Sequence, residues 1–78
     1  MPKSRELERT QVLLREIWID LLEYEEVDTE DNFFDLGGDS LQAVEMVFRA
    51  REVGISMEVR DLFATDTLAD LADTVCTA

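Results

Sequence analysis

The chain has 78 residues, 46% of them hydrophobic, which suits one small globular domain and is too apolar for a disordered segment. Its 19 acidic and 7 basic residues give a net charge of −12, which disfavours nucleic acid and anionic membranes and favours partners with basic surfaces. Because histidine is absent and Cys76 is the single cysteine, the chain lacks Ser-His and Cys-His catalytic pairs, an internal disulfide and the ligands of a usual zinc site.

The first predicted helix runs from Arg5 to Leu22, with Ser4 as its N-cap. Its apolar side chains recur at helical spacing and form one stripe, made of Leu7, Leu14, Ile17, Trp18 and Leu21. Val12 and Ile19 lie off this stripe. They are either scattered surface residues or are covered by the loop that follows.

The connection over residues 23–39 keeps no helical or strand period. Loops of this length in compact domains are usually functional or held against the rest of the fold. Phe33 and Phe34 are the predicted anchors, because each can bury a large apolar surface against the helices.

The second helix is predicted over residues 40–53 and is followed by Gly54, which suits the left-handed position after a helix. Its apolar residues fall on two opposite faces, although a surface helix of a small domain normally needs one. We assign one face to the core, namely Ala43, Met46, Val47 and Ala50. The other face is a predicted partner surface, made of Leu41, Val44, Glu45 and Phe48. The alternative is that Val44 or Phe48 packs under the long loop.

Two shorter helices complete the pattern, over residues 59–64 and 67–76. The last one begins at a capping signal, Thr67 followed by Asp70, and its apolar stripe consists of Leu68, Leu71, Ala72 and Val75. No strand pattern, repeat or internal linker is present. The sequence therefore predicts one all-α domain over residues 1–78, a small four-helix bundle with a short third helix and a long loop between helices 1 and 2.

The segment before the second helix, Asp35-Leu36-Gly37-Gly38-Asp39-Ser40-Leu41, carries the chemistry. Two glycines permit a tight turn and leave open space beside the residues that follow. Ser40 then lies at or just inside a helix N-terminus, where free amides and the helix dipole favour a phosphate ester on its hydroxyl. The alternative is that Asp39 or Ser40 simply caps the helix.

Residues 31–41 (Asp-Asn-Phe-Phe-Asp-Leu-Gly-Gly-Asp-Ser-Leu) resemble the phosphopantetheine attachment signature of peptidyl carrier proteins, the thiolation domains of nonribosomal peptide synthesis. The wider family includes the acyl carrier proteins. The resemblance covers nearly the whole chain, since further matches fall at residues 17–18, 21–22, 54–56, 59–63 and 67–72. A Gly-Gly-Asp-Ser string alone would be a weak signal, but it stands here in an acidic, histidine-free helical domain of the right length.

The resemblance implies that Ser40 carries 4′-phosphopantetheine derived from coenzyme A, with Gly37, Gly38 and Asp39 supporting the attachment site. It also places the predicted partner surface where family members contact other enzymes. Asp39 stands where peptidyl carriers often have His and acyl carriers have Asp, so both cargo classes stay open. The proline that usually precedes the last helix is missing, which affects only the entry to that helix.

The implied function is that of a non-catalytic carrier, which tethers an aminoacyl, peptidyl or acyl intermediate as a thioester during natural-product or antibiotic biosynthesis. The implied partners are a phosphopantetheinyl transferase, an adenylating or acyl-transferring enzyme, and condensation, tailoring or thioesterase enzymes. We expect a cytoplasmic monomer without a resident metal, and without nucleic-acid or membrane binding. The sequence suggests a free-standing carrier, although an excised domain would look the same.

Three rival interpretations remain. An acidic helical adaptor would share the composition and the exposed face but carry no prosthetic group. A calcium site would use Asp31, Asp35 and Asp39, but these are four residues apart, whereas an EF-hand loop alternates its first ligands by two. A hydrolase with Ser40 as nucleophile lacks a histidine base and room for a pocket.

Overall fold

The computed structural model describes residues 2–76, with side chains from residue 5 onward. These residues form four helices: α1 (Pro2–Leu22), α2 (Ser40–Glu52), α3 (Val59–Ala64) and α4 (Leu68–Val75). Helix α1 contacts α2 and α4, and the short α3 contacts the same two helices from another side. No strand occurs in the described part of the chain. The predicted all-α bundle with a short third helix and a long first loop is therefore confirmed.

The helix bounds differ from the predicted ones at four ends. Helix α1 begins at Pro2, so the predicted start at Arg5 and the predicted N-cap Ser4 are wrong. Proline is well suited to the first helical position, because its missing N–H would have no intrahelical acceptor there. Helix α2 ends one residue early, with Val53 as its C-cap, and α4 excludes the capping residues at both of its ends, 67 and 76.

Helices α1 and α2 end in the same way. Gly54 follows α2 at φ +90°, and Ile55 N donates to the Ala50 carbonyl at 2.9 Å, the long-range bond of a Schellman motif. After α1, Glu23 takes the left-handed position at φ +60°, and Tyr24 N donates to the Ile19 carbonyl at 3.1 Å. The end of α1 therefore fixes the position of Tyr24, where the long loop starts.

The core lies between the inner faces of all four helices, and the core faces predicted from helical spacing are confirmed. Trp18 of α1 is 1% exposed, and Leu14 and Ile17 are buried beside it. All residues of the predicted core faces of α2 and α4 are buried, namely Ala43, Met46, Val47, Ala50, Leu68, Leu71, Ala72 and Val75. Of the two residues off the α1 stripe, Ile19 packs at the edge of the core and Val12 is exposed.

An ion-pair bridge joins α1 to α2 outside the core. The Arg49 guanidinium contacts the Asp20 carboxylate of α1 and lies 3.2 Å from Glu45 Oε2, one turn back on α2. The hydrogen bond from Arg49 to Asp20, and to a smaller extent the one to Glu45, raises the pKa of Arg49.

None of the helices in the described residues combines the length and apolar character needed to cross a membrane.

Candidate functional site

Ser40 is the first residue of α2, and its side chain is exposed. The residue before it, Asp39, is the N-cap: its Oδ1 accepts from Gln42 N at 2.8 Å. Asp39 N in turn donates to Gln42 Oε1 at 3.3 Å, which completes a capping box. The capping role therefore belongs to Asp39, which leaves the Ser40 hydroxyl free of that task.

The two glycines before the cap serve different physical purposes. Gly37 has φ +99°, a conformation that L side chains rarely adopt, and a Cβ there would meet nothing within 4 Å. Gly38 has an ordinary φ but no space, because a Cβ there would lie 2.5 Å from Phe33 Cδ2 and 2.8 Å from the Phe33 carbonyl oxygen. The first glycine makes the turn and the second allows the turn to press onto Phe33.

Phe33 anchors this turn in the core, as predicted. It is 1% exposed and meets the Trp18 ring edge-on, with ring centroids 5.3 Å apart. Phe34 anchors the loop less deeply, since it is half-buried and stacks on Phe63 of α3 at 4.9 Å. The serine segment is thus fixed to α1 by one aromatic ring and to α3 by the next.

Hydrogen bonds close the turn from within. Gly37 N donates to the Phe34 carbonyl at 3.0 Å, and Gly38 N donates to the Phe33 carbonyl at 3.1 Å. The Asn32 Oδ1 accepts from Phe34 N at 2.9 Å and from Asp35 N at 3.0 Å, as in an Asx turn. The backbone before Ser40 therefore has a defined shape rather than that of an open linker.

Two side chains that we did not single out from the sequence hold this turn from outside. Asn32 Nδ2 donates to the Asp66 carbonyl in the α3–α4 connection, and the Tyr24 hydroxyl donates to the Leu36 carbonyl at 2.7 Å. The Asx-turn tendency of asparagine is a signal that could have indicated Asn32. No local pattern indicates Tyr24, because its acceptor lies 12 residues away.

The loop also bonds to the start of α4. Leu68 N donates to the Asp31 carbonyl at 3.0 Å, and Ala69 N donates to the Thr29 carbonyl at 2.9 Å. The amides of a first helical turn have no intrahelical acceptor, so the loop carbonyls fill that need. Thr67 caps the same helix through its Oγ1, which accepts from Asp70 N at 3.1 Å.

The predicted partner surface is exposed at all four positions. Leu41 is 78% exposed, Phe48 is 59% exposed, and Val44 and Glu45 are also exposed. The alternative that Val44 or Phe48 packs under the long loop is therefore wrong. Val44 and Phe48 line one side of a groove of about 350 Å³ between α2 and α3, whose other lining residues are Val47, Arg51, Glu58, Val59 and Arg60. The role of this surface in partner binding stays a prediction.

Two of the three acids considered for a calcium site have structural roles in this part of the chain. Asp31 Oδ2 accepts from Asp28 N at 2.9 Å, and Asp39 is the α2 cap. Among the residues that the structure describes, no group of three or more Asp, Glu or Cys side chains is arranged to hold a metal ion.

A phosphate ester fits at Ser40 on three counts. Ser40 is exposed, Gly37 three residues earlier has open space around it, and Ser40 and Leu41 contribute first-turn amides at the positive end of α2. An attached group would extend into solvent beside the partner surface and would displace no core contact.

Comparison with known proteins agrees with this geometry. Residues 12–75 match the family model described as "Phosphopantetheine attachment site". Malpibaldin synthetase of Mortierella alpina is 48% identical over 62 residues, which cover 80% of this chain and 1% of that protein. A solved "Non Ribosomal PCP domain" superposes with a TM-score of 0.78 at 33% identity, covering 82% of this chain and 83% of the other.

A further neighbour is BlmI, a type-II acyl-carrier-protein of Streptomyces verticillus involved in bleomycin biosynthesis. It superposes with a TM-score of 0.81 at 27% identity over 95% of this chain and 89% of that one. The chain belongs to the phosphopantetheine attachment-site family, a family of non-catalytic carrier domains that hold 4′-phosphopantetheine covalently. Within it, the chain is of the type found in nonribosomal peptide synthetases. The chain spans only 1 to 3% of the length of the synthetases that it matches.

Proposed function

We propose that Ser40 is the attachment residue and that the chain carries aminoacyl or peptidyl intermediates between enzymes without catalysing a reaction itself. The observation that carries this proposal is an exposed serine at the first position of α2, three residues after a glycine in open space and next to an aspartate that already caps the helix. When attached, the arm supplies a terminal thiol that holds the cargo as a thioester.

The loading step uses little from this chain beyond a displayed hydroxyl. Ser40 Oγ forms a bond to the phosphorus that bears the pantetheine group of coenzyme A, and the bond from that phosphorus to the adenosine-phosphate portion breaks. The hydroxyl proton passes to a base of the transferase, since this chain has no histidine to receive it. Asp35, Asp39 and Glu45 are exposed acids around the site and favour encounter with a basic enzyme surface.

The loading experiment tests the assignment of Ser40 directly. The protein is incubated with coenzyme A, Mg²⁺ and a broad-specificity phosphopantetheinyl transferase, and then weighed by mass spectrometry. We expect wild type to gain one phosphopantetheinyl group and Ser40→Ala to gain none. Ser56→Ala, which removes another exposed serine hydroxyl, is the matched control and should load fully. An unloaded wild type would favour the interpretation as an adaptor without a prosthetic group. A loaded Ser40→Ala would show that another residue is the attachment site.

The partners that follow from this function are the transferase, an adenylating or acyl-transferring enzyme, and condensation, tailoring or thioesterase enzymes. We place these exchanges in the cytoplasm, where coenzyme A and its transferases act. An acyl carrier of polyketide or fatty-acid type is the second candidate, because Asp39 precedes Ser40 and the BlmI neighbour is described as an acyl carrier. The synthetase relatives favour the peptidyl class.

Phe48→Ala tests the partner surface, with the same transferase as the probe. Because Phe48 is exposed, its loss should leave folding stability nearly unchanged but remove an apolar contact, raising the KM for the carrier about tenfold. Val12→Ala, an exposed apolar truncation on α1, is the control and should leave the KM unchanged. Higher ionic strength should also raise the wild-type KM. Equal KM values for Phe48→Ala and wild type would contradict the proposed surface.

A further inference from the structure

Tyr24 connects a fixed point of the bundle to the turn before Ser40. Its backbone N–H is bonded to the Ile19 carbonyl in the last turn of α1, so its position follows from that helix. Its hydroxyl donates to the Leu36 carbonyl, 12 residues further along the chain, at 2.7 Å. One side chain thereby joins the end of α1 to the residue immediately before Gly37.

The Leu36 carbonyl is a sensitive point of the turn. The peptide that contains it leads into Gly37, which has φ +99° and no neighbour within 4 Å of a Cβ position. A glycine in open space has many accessible backbone conformations, so contacts with other residues must select the observed one. The Tyr24 hydroxyl holds the carbonyl of this peptide, and the Gly37 N–H of the same peptide donates to the Phe34 carbonyl at 3.0 Å. The Phe33–Gly38 contact fixes the other side of the glycine.

We propose that Tyr24 is a positioning residue for the loading of Ser40, an inference that rests on the proposed function. By holding the Leu36 carbonyl, Tyr24 keeps the glycine turn in the conformation that displays the serine hydroxyl to the transferase. If only a fraction of the free carrier has this conformation, the apparent affinity of the enzyme equals its intrinsic affinity multiplied by that fraction. Once the carrier is bound, the enzyme holds the loop itself and the transfer step proceeds at its usual rate.

Tyr24→Phe removes the donating hydroxyl and retains the half-exposed ring. Loss of one hydrogen bond of ordinary net strength should raise the KM for the carrier by up to about fivefold, with kcat unchanged. Amide hydrogen exchange provides a second readout that needs no enzyme. We expect the Gly37 and Gly38 amides to exchange several times faster in Tyr24→Phe, while the core amides of α2 keep their protection.

Ile55→Val is the matched control, because it trims a buried side chain in the α2–α3 connection, weakens the fold modestly and removes no hydrogen bond of the loop over residues 23–39. It should change neither the KM nor the exchange of the two glycines. Equal KM values for Tyr24→Phe and wild type, or an equal rise in both variants, would overturn the proposal. A fall in kcat at constant KM would also overturn it. An unloaded wild type would count against the proposed function, whereas unaltered glycine exchange in Tyr24→Phe would count against the Tyr24 proposal alone.

Discussion

Replacing Gly38 with alanine is expected to destabilise the domain by about 3 kcal/mol, at the upper end of the cost of overpacking a core. The added methyl group would lie 2.5 Å from Phe33 Cδ2 and 2.8 Å from the Phe33 carbonyl oxygen, distances that real Cβ atoms essentially never show. The Phe33 ring cannot move aside, because it is buried against Trp18. The turn must therefore lift off the ring, and the Gly38 N to Phe33 carbonyl bond must break with it.

Gly37→Ala is the matched comparison, because it adds the same methyl group one residue earlier. No atom lies within 4 Å of the new Cβ, so the cost comes only from φ +99° and should be about 1 to 2 kcal/mol. Urea denaturation of both variants measures the difference. Loading by the transferase should fall further in Gly38→Ala than in Gly37→Ala, since only the former displaces the segment that carries Ser40. Equal stability losses in the two variants would show that the close approach of Gly38 to Phe33 is not a real constraint.

Phe33→Ala should cost about 3 to 5 kcal/mol, the usual range for removing a buried aromatic ring. For a domain of this size that is roughly half of the whole free energy of unfolding. The same ring also supports the glycine turn, so a variant that stays folded in mild conditions should show faster amide exchange at Gly38 and slower loading. Its effects thus extend from the core to the site.

Phe34→Ala provides the contrast for this prediction. Phe34 is half-buried and stacks on Phe63, which is itself exposed, so its truncation should cost about 1 kcal/mol. Thermal or urea unfolding of the two variants gives the comparison. A loss for Phe34→Ala as large as that for Phe33→Ala would mean that the stack on α3 holds the loop as strongly as the contact with α1 does.

The sequence was most informative where periodicity applies. The two opposite apolar faces of α2 cannot both be covered in so small a bundle. The face with Ala43 and Met46 is the buried one, as helical spacing predicts. The same reasoning places Leu41 and Phe48 outside. A helix repeats every 3.6 residues, so local spacing alone assigns its faces. The family signature located Ser40 near a helix start in the same way, from adjacent residues.

The loop was less predictable, because its shape depends on partners far along the chain. The sequence suggests that both glycines serve to permit a tight turn. In the structure Gly37 supplies the positive φ of the turn, and Gly38 allows the turn to pack closely on Phe33. The bond from Asn32 to the Asp66 carbonyl spans 34 residues, and the one from Tyr24 to Leu36 spans 12. Whether Asp39 or Ser40 caps α2 was also open, and the geometry of Gln42 settles it in favour of Asp39. Such choices depend on tertiary contacts that no local pattern encodes.

The bonds from Leu68 and Ala69 to the loop have a consequence for the order of events during synthesis. The carbonyls of Thr29 and Asp31 receive these amides only after α4 has left the ribosome and docked. A nascent chain that has Ser40 but not yet its final helix lacks this closure of the loop. The loop before Ser40 therefore reaches its final hydrogen-bonded form only after a helix made later than α2 and α3 has docked against it.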